Sequence, residues 1–366
     1  MMNNPTIDDV SVTAYTVPTA TEQESDGTLQ WDSTTIVIVE LSAGGKSGIG
    51  YSYTHTAAAD LIEKKLAKYV KGCSAFDING IWLTMVEEIR NLGRPGICSN
   101  AISAVDNALW DLKAKLYDTS VLDLIGAVHE SVAAYGSGGF CSYTVEQLQE
   151  QLGGWAAEGF GQVKMKVGRK PEEDLDRARA AREAIGPAVH LYVDANGAYR
   201  RKEALDFARR YRELGVTWFE EPVSSDDLKG LRLIRDQGPP GLDVAAGEYG
   251  YDIFYFNEML DAGAVDVLQA DATRCAGITG FLQAATLCEA RSMPFSAHTA
   301  PTIHAHAMCA IRKAMNVEYF FDHYRIEQMF FDGAIRAEGG RLTPDRSRPG
   351  FGIALKRKDA EPYRVA

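Results

Sequence analysis

Beginning at Lys166, the ionisable residues Asp194, Glu220, Glu248, Asp271, His298 and Glu318 follow one another at intervals of 20 to 28 residues, each at or near the end of a short apolar run. Asp194, Glu220 and Glu248 are oxygen donors suited to a hard divalent cation that keeps positions open for water or substrate, and Mg²⁺ is the natural choice. No Cys cluster or His-x-x-x-His pattern favours zinc. His298, His304 and His306 lack a zinc spacing, and His304 and His306 read as ordinary helix residues. Lys164 and Lys166 share one face of a strand, because side chains alternate, while Val163, Met165 and Val167 point the other way. Taken singly, Asp194 or Asp271 could cap a helix, and paired lysines could be solvated. Together these groups would pack a large charge density into one cavity, which is unfavourable unless a cation and a substrate organise it.

Elements that deliver one such residue per repeat are visible in the hydrophobic pattern. Eight runs, SVAAYG, QVKMKVG, VHLYVDAN, TWFEEP, LDVAAGE, VDVLQAD, MPFSAH and NVEYF, alternate with segments of helical spacing such as EEDLDRARAAREAI and KEALDFARRYRELG. The alternation predicts an α/β fold with a parallel sheet closed into a (β/α)₈, TIM-like barrel over residues 131–340. In such a barrel, side chains at the C-terminal strand ends converge on one mouth, where active sites form. Residues 1–130 read as a separate α+β domain, with strand-like DVSVTAYTV, TTIVIVELSAG and SGIGYSYTH before three helical segments. Residues 18–32, PTATEQESDGTLQWD, form a polar loop too long for a hairpin turn and are expected to be a mobile lid. Residues 341–366, rich in Pro, Gly and Arg, are expected to return and pack on the first domain.

The chain of 366 residues carries 38 basic and 50 acidic side chains, a formal charge of -12, so its overall field repels nucleic acid. An anionic substrate must then be drawn by a few local positive charges or by a metal. The six cysteines are widely scattered without a CxxC pair, as free thiols of a reducing compartment are. No run approaches the roughly 18 apolar residues of a membrane span, and MMNNPTIDDVSV lacks the features of a secretory signal. A cytoplasmic protein that binds neither membrane nor nucleic acid is expected.

The motifs KMK at 164–166, DAN at 194–196, EEP at 220–222 and GE at 247–248, followed by Asp271 and His298 on strands six and seven, resemble those of the enolase superfamily and its mandelate racemase subgroup. The resemblance extends over essentially the whole chain, as a capping domain, a barrel and a C-terminal return. It implies that Glu220, the first acid of EEP, is the metal ligand and that Glu221 stands behind it. It also implies the family's general chemistry, in which a Lys or His base works with Mg²⁺ to take the proton α to a carboxylate through an enediolate. Lys164 and a protonated Glu318 would assist at the substrate carboxylate. Lys166, its pKa lowered by the adjacent Lys164, and His298, oriented by Asp271, would be bases on either side of the α-carbon. Asn196 and Arg325 are candidate substrate contacts, the latter within the polar segment Asp322, His323, Tyr324, Arg325, and a homo-oligomer acting on a small-molecule carboxylate is expected.

Two reactions fit such a site. An acid that protonates a β-hydroxyl gives dehydration of an acid sugar to a 2-keto-3-deoxy acid, whereas return of the proton to the α-carbon gives a racemase or epimerase of a 2-hydroxy acid. The polar loop and the segment after strand eight favour a polyhydroxylated acid and therefore the dehydratase. From other classes, a non-catalytic binding barrel would have no reason to keep every ligand and both bases, and a metal-dependent hydrolase has no use for paired lysines.

Overall fold

Alternating apolar and polar residues in the first half of the chain make one-sided strands, which a long helix then covers. The computed structural model describes residues 4–366; residues 1–3 of the expected first domain lie outside this range. The N-terminal strands are β1 (Asp9–Pro18), β2 (Glu24–Ser25), β3 (Gln30–Trp31), β4 (Ser33–Ala43) and β5 (Lys46–Tyr53). β1, β4 and β5 form an antiparallel sheet in that order, with Asp9 opposite Ser42 and Pro18 opposite Ser33. The sheet packs on the helix Ile97–Leu116, where buried Ala101, Ala104 and Ala108 allow close approach. The 18–32 segment is not a featureless loop. β2 and β3 pair as a short hairpin within it, with Glu24 opposite Trp31.

The eight apolar runs form β6 (Val132–Gly138), β7 (Gln162–Lys166), β8 (His190–Asp194), β9 (Val216–Glu220), β10 (Asp243–Ala246), β11 (Val267–Ala270), β12 (Phe295–Ala297) and β13 (Ala314–Phe320). Neighbours run parallel, and β13 pairs with β6 to close the barrel. Register does the positioning: Lys166 lies beside Asp194, and Asp194 beside Glu220, so three strands end their ionisable residues at one level. At the other end of the barrel, Tyr135, Tyr192 and Trp218 pack with Ala245 and Val267 into an apolar floor.

Three short strands follow: β14 (Phe331–Asp332), β15 (Arg341–Leu342) and β16 (Ala354–Leu355). β15 adds to the barrel strand β6 in antiparallel sense, a pairing the sequence pattern did not reveal. The C-terminal segment reaches the first domain: Phe351 N–H donates to Asp111 Oδ1 at 2.7 Å, and Val365 N–H to Ala14 O at 2.9 Å.

The two regions also share a helix cap. The helix Gly277–Ala290 begins after Ala276, a left-handed residue with no capping side chain of its own. Its first N–H groups donate instead to the N-terminal domain: Gly277 to Ser103 Oγ at 3.0 Å, Ile278 to Asn107 Oδ1 at 3.1 Å, and Thr279 to Asp106 Oδ2 at 2.9 Å. Helix N-termini need such acceptors when buried. Asp106→Ala removes acceptors for the Thr279 N–H and for its hydroxyl. It should lower stability to denaturant by about 2 kcal/mol, and Asp106→Asn should recover part of that loss.

Candidate active site

The strand ends place Lys164 at the centre of a buried charge cluster. Its Nζ lies 2.5 Å from Glu220 Oε1, 2.8 Å from Glu318 Oε1 and 3.3 Å from Asp194 Oδ2. Lys166 pairs with the same Asp194 oxygen. Neutral donors add to these contacts: Ser137 Oγ to Glu318 Oε1 at 2.6 Å, Trp218 Nε1 to Glu220 Oε2 at 2.9 Å, and the Asn196 N–H to Asp194 Oδ1 at 2.9 Å, while Glu318 Oε2 is buried without a hydrogen-bond partner. Glu248 reaches the cluster through Gly247, whose φ of +136° and approach to Gln269 O leave no room for a Cβ.

On the other flank, His298 Nδ1 is 2.8 Å from Asp271 Oδ2, and its Nε2 is 3.1 Å from Glu248 Oε2. β13 and β6 stand between its strand and that of Lys166. Burial alone would lower the His298 pKa, but Glu248, with Glu318 and the Asp271 hydrogen bond, raises it to about 9. His304 is no passive helix residue. Its Nε2 accepts from the Ala272 N–H at 2.8 Å and its Nδ1 donates to Thr299 O at 2.7 Å, tying together the residues next to Asp271 and His298. His306 is buried and away from these contacts, with an edge toward Phe351.

Two expected protonation states are corrected by these neighbours. Burial would raise Glu318, but Lys164 and His298 hold it down at about 2, so it is a carboxylate and not the protonated donor expected from sequence. Lys166 is not depressed. Burial and Lys164 act to lower its pKa, yet the contact with Asp194 outweighs both and raises it. Strand spacing shows which lysines are adjacent and does not show which carboxylate faces them.

Oxygens of Asp194, Glu220 and Glu248 lie within 4.8 Å of one another, all buried. Burial and Asp194 push Glu220 up to about 8, and burial with the neighbouring acids raises Glu221 well above the carboxylate range. Six buried carboxyls, Asp194, Glu220, Glu221, Glu248, Asp271 and Glu318, face Lys164, Lys166, Arg274 and a protonated His298. The upward shifts of Glu220 and Glu221 show how strongly the acids repel one another where no cation separates them. The three-carboxylate donor set fits a hard ion such as Mg²⁺, held by Asp194, Glu220 and Glu248.

These groups open into a cavity of about 440 Å³ whose wall includes Lys166, Asn196, Glu248, His298 and Glu318. The β2–β3 hairpin contributes Asp26, Leu29 and Trp31, and β5 and the residues after it contribute Tyr53, Thr54 and His55. Gly27 brings the hairpin down on the mouth, since a Cβ there would stand 2.4 Å from Ala195 O and 2.6 Å from Val167 O. Arg325 is not brought to this wall. Its guanidinium donates to Pro18 O at 2.6 Å and stands 3.4 Å from Asp322, where it holds the base of the 18–32 segment. Sequence reasoning missed Arg274, which lies 3.4 Å from Glu248 Oε1 and lines the cavity, although its place three residues after Asp271 marked it. It also missed the stack of His323 on Tyr53, with ring centroids 3.4 Å apart, which no spacing reveals.

A capped barrel with a carboxylate triad and general acid–base groups at its C-terminal mouth defines an enzyme of the enolase superfamily. The chain belongs to the mandelate racemase / muconate lactonizing enzyme family: residues 9–126 match that family's N-terminal domain and residues 147–360 the enolase C-terminal domain-like model. A 3,6-anhydro-alpha-L-galactonate cycloisomerase of Streptomyces coelicolor is 33% identical over 95% of this chain and 97% of its own. An arabinonate dehydratase of Saccharolobus solfataricus is 30% identical over 90% of each. Among solved structures, a mandelate racemase/muconate lactonizing enzyme-like protein from Rubrobacter xylanophilus is 52% identical, with a TM-score of 0.96 over 99% of this chain and 100% of that one. A racemase from Streptomyces coelicolor with bound magnesium is 30% identical, with a TM-score of 0.92 over 98% and 100%. Among the described residues, no helix is long and apolar enough to cross a membrane.

Two experiments probe this geometry. Mg²⁺ should raise the melting temperature of the wild type and leave that of Asp194→Asn or Glu248→Gln unmoved, because a ligand that binds only the folded state stabilises it by mass action. Gly27→Ala should lift the hairpin from the mouth and raise KM about fivefold or more. It should also open residues 18–32 to proteolysis while the unfolding midpoint stays put.

Proposed function

We propose that this enzyme takes the proton α to the carboxylate of an acid sugar and expels the β-hydroxyl, giving a 2-keto-3-deoxy acid. The observation that carries the reading is the placement of Lys166 and His298 on one cavity from separate sides of the barrel, with His298 held by Asp271. An α-proton can leave toward one while the other faces the leaving group. Mg²⁺ bound at the triad would neutralise the charge that develops on the substrate carboxylate.

The chain's own groups supply the rest. Lys164, charged and fixed among three carboxylates, adds positive potential beneath the reacting carbon. Lys166 takes the proton in its amine form, which is favoured once Asp194 is engaged as a ligand and Lys164 still repels its ammonium. His298, an imidazolium with a pKa of about 9, is set to protonate the departing hydroxyl. The cavity volume of about 440 Å³ suits a sugar acid, and its many hydroxyl-bearing walls suit a polyol. The arabinonate dehydratase relative supports this chemistry. The cycloisomerase relative extends the same first step to a leaving oxygen held within a ring. Epimerisation is the second reading, favoured by two bases on one cavity.

Deuterated water separates the steps. With an acid-sugar substrate, Lys166→Ala should lower both α-exchange and keto-acid formation by about a hundredfold or more. His298→Asn should keep part of the exchange while losing keto acid. An epimerase would instead give inverted, labelled substrate and no keto acid. Wild-type rates of both processes in both variants would put the chemistry elsewhere.

A further inference from the structure

The part of the cavity wall contributed by the N-terminal domain differs from the barrel's part in its charge. Ser33, Thr34, Thr35 and Thr54 supply hydroxyls to it, and among the described residues lining the cavity no Lys or Arg comes from that domain. The cationic groups of the wall are otherwise committed. Lys166 and His298 belong to the barrel's part of the wall and pair with Asp194 and Asp271, and Arg274 donates to Glu248 O at 3.1 Å and approaches the Glu248 carboxylate at 3.4 Å. His323 is buried against Tyr53 and kept neutral by burial. His55, exposed, uses Nδ1 to accept the Ala57 N–H at 3.1 Å.

An acid stands at the hairpin edge. The Asp26 Oδ1 atom accepts the N–H groups of Thr28 and Leu29 at 2.7 and 2.6 Å, which fixes the carboxyl group at the cavity wall. A second carboxylate on the substrate would therefore lose water, gain no cation and face a like charge. A terminal hydroxymethyl group would find hydroxyls to donate to and accept from, at no such cost.

We infer that the substrate is a monocarboxylate, a sugar acid whose end remote from the reacting carboxylate is neutral, and that diacids are excluded by Asp26 and by the lack of a cation at the cap end. This rests on the acid-sugar reading above and narrows it.

The test uses matched acids that share every stereocentre and differ only at C6, such as gluconate with glucarate and galactonate with galactarate, assayed with the Mg²⁺-loaded full chain for α-exchange and keto acid. Within any pair that reacts, kcat/KM should favour the monoacid by about tenfold or more. Equal rates, or a preference for the diacid, would overturn the inference and leave the acid-sugar reading standing. If no sugar acid of either series exchanges its α-proton, the acid-sugar reading fails and the inference falls with it. Asp26→Asn keeps the amide oxygen that accepts the turn N–H groups and removes the charge, so the monoacid-to-diacid ratio should shrink about threefold or more. A ratio unchanged in this variant would overturn the role given to Asp26.

Discussion

Six carboxyl groups are buried at one barrel mouth, with Lys164, Lys166 and Arg274 to face them, and the surrounding structure is arranged to tolerate this. Buried charge is costly unless paired and hydrogen-bonded. Lys164 therefore sits where it can touch three acids; Trp218 and the Asn196 amide donate to oxygens that the lysines leave open, and Ser137 shares Glu318 Oε1 with Lys164. Trp218 also stacks on Tyr192 in the apolar floor, so one side chain both excludes water from below and donates to Glu220. The mutual repulsion of Asp194, Glu220 and Glu248, whose oxygens lie within 4.8 Å of one another, is what a divalent cation would answer.

The N-terminal domain is held to the barrel at the loops that carry the acid–base groups. Asn107 donates to Ala272 O at 3.1 Å and Ser52 to Thr273 O at 2.5 Å, gripping the turn that follows Asp271. Tyr51 donates to the buried Glu327, which also accepts from the Thr302 hydroxyl and N–H at the start of the helix after His298. With His304 joining the two loops from inside, Asp271 and His298 are fixed by contacts from both domains. A shift of the domain would thus disturb the dyad as well as the cavity roof.

Strand alternation and the 20- to 28-residue recurrence made the barrel and the convergence of Asp194, Glu220 and Glu248 legible, because a closed parallel sheet sends equivalent strand ends to one place. What stayed hidden depends on contacts across strands. Lys166 faces Asp194 as well as Lys164, and Glu318 faces Lys164, so the charge states of both run opposite to a reading based on neighbours in sequence. Arg325 looked available because its segment is polar, yet a backbone carbonyl at Pro18 takes its guanidinium. The β2–β3 hairpin was invisible because each strand is two residues long, too short for periodicity.

The division of labour between the two regions follows from where their residues meet the cavity. The barrel contributes the charges, locked by mutual contacts so tight that exchanging one alters the state of the rest. The hairpin and the β4 and β5 segments contribute neutral and apolar groups, with Asp26 the acid among them. Thr35 bonds to Thr16 within the N-terminal sheet at 2.8 Å and touches none of the clustered carboxylates, whereas the Ser52 and Tyr53 hydroxyls reach the barrel loops at Thr273 and His323. Under the proposed reading, Lys166 starts every reaction in the same way, and the outcome turns on what His298 meets. A β-oxygen presented to the imidazolium departs, whether as a hydroxyl or as a ring oxygen. An α-carbon presented to it is reprotonated. The cap, by setting how the remote end of the substrate lies, decides which atom that is.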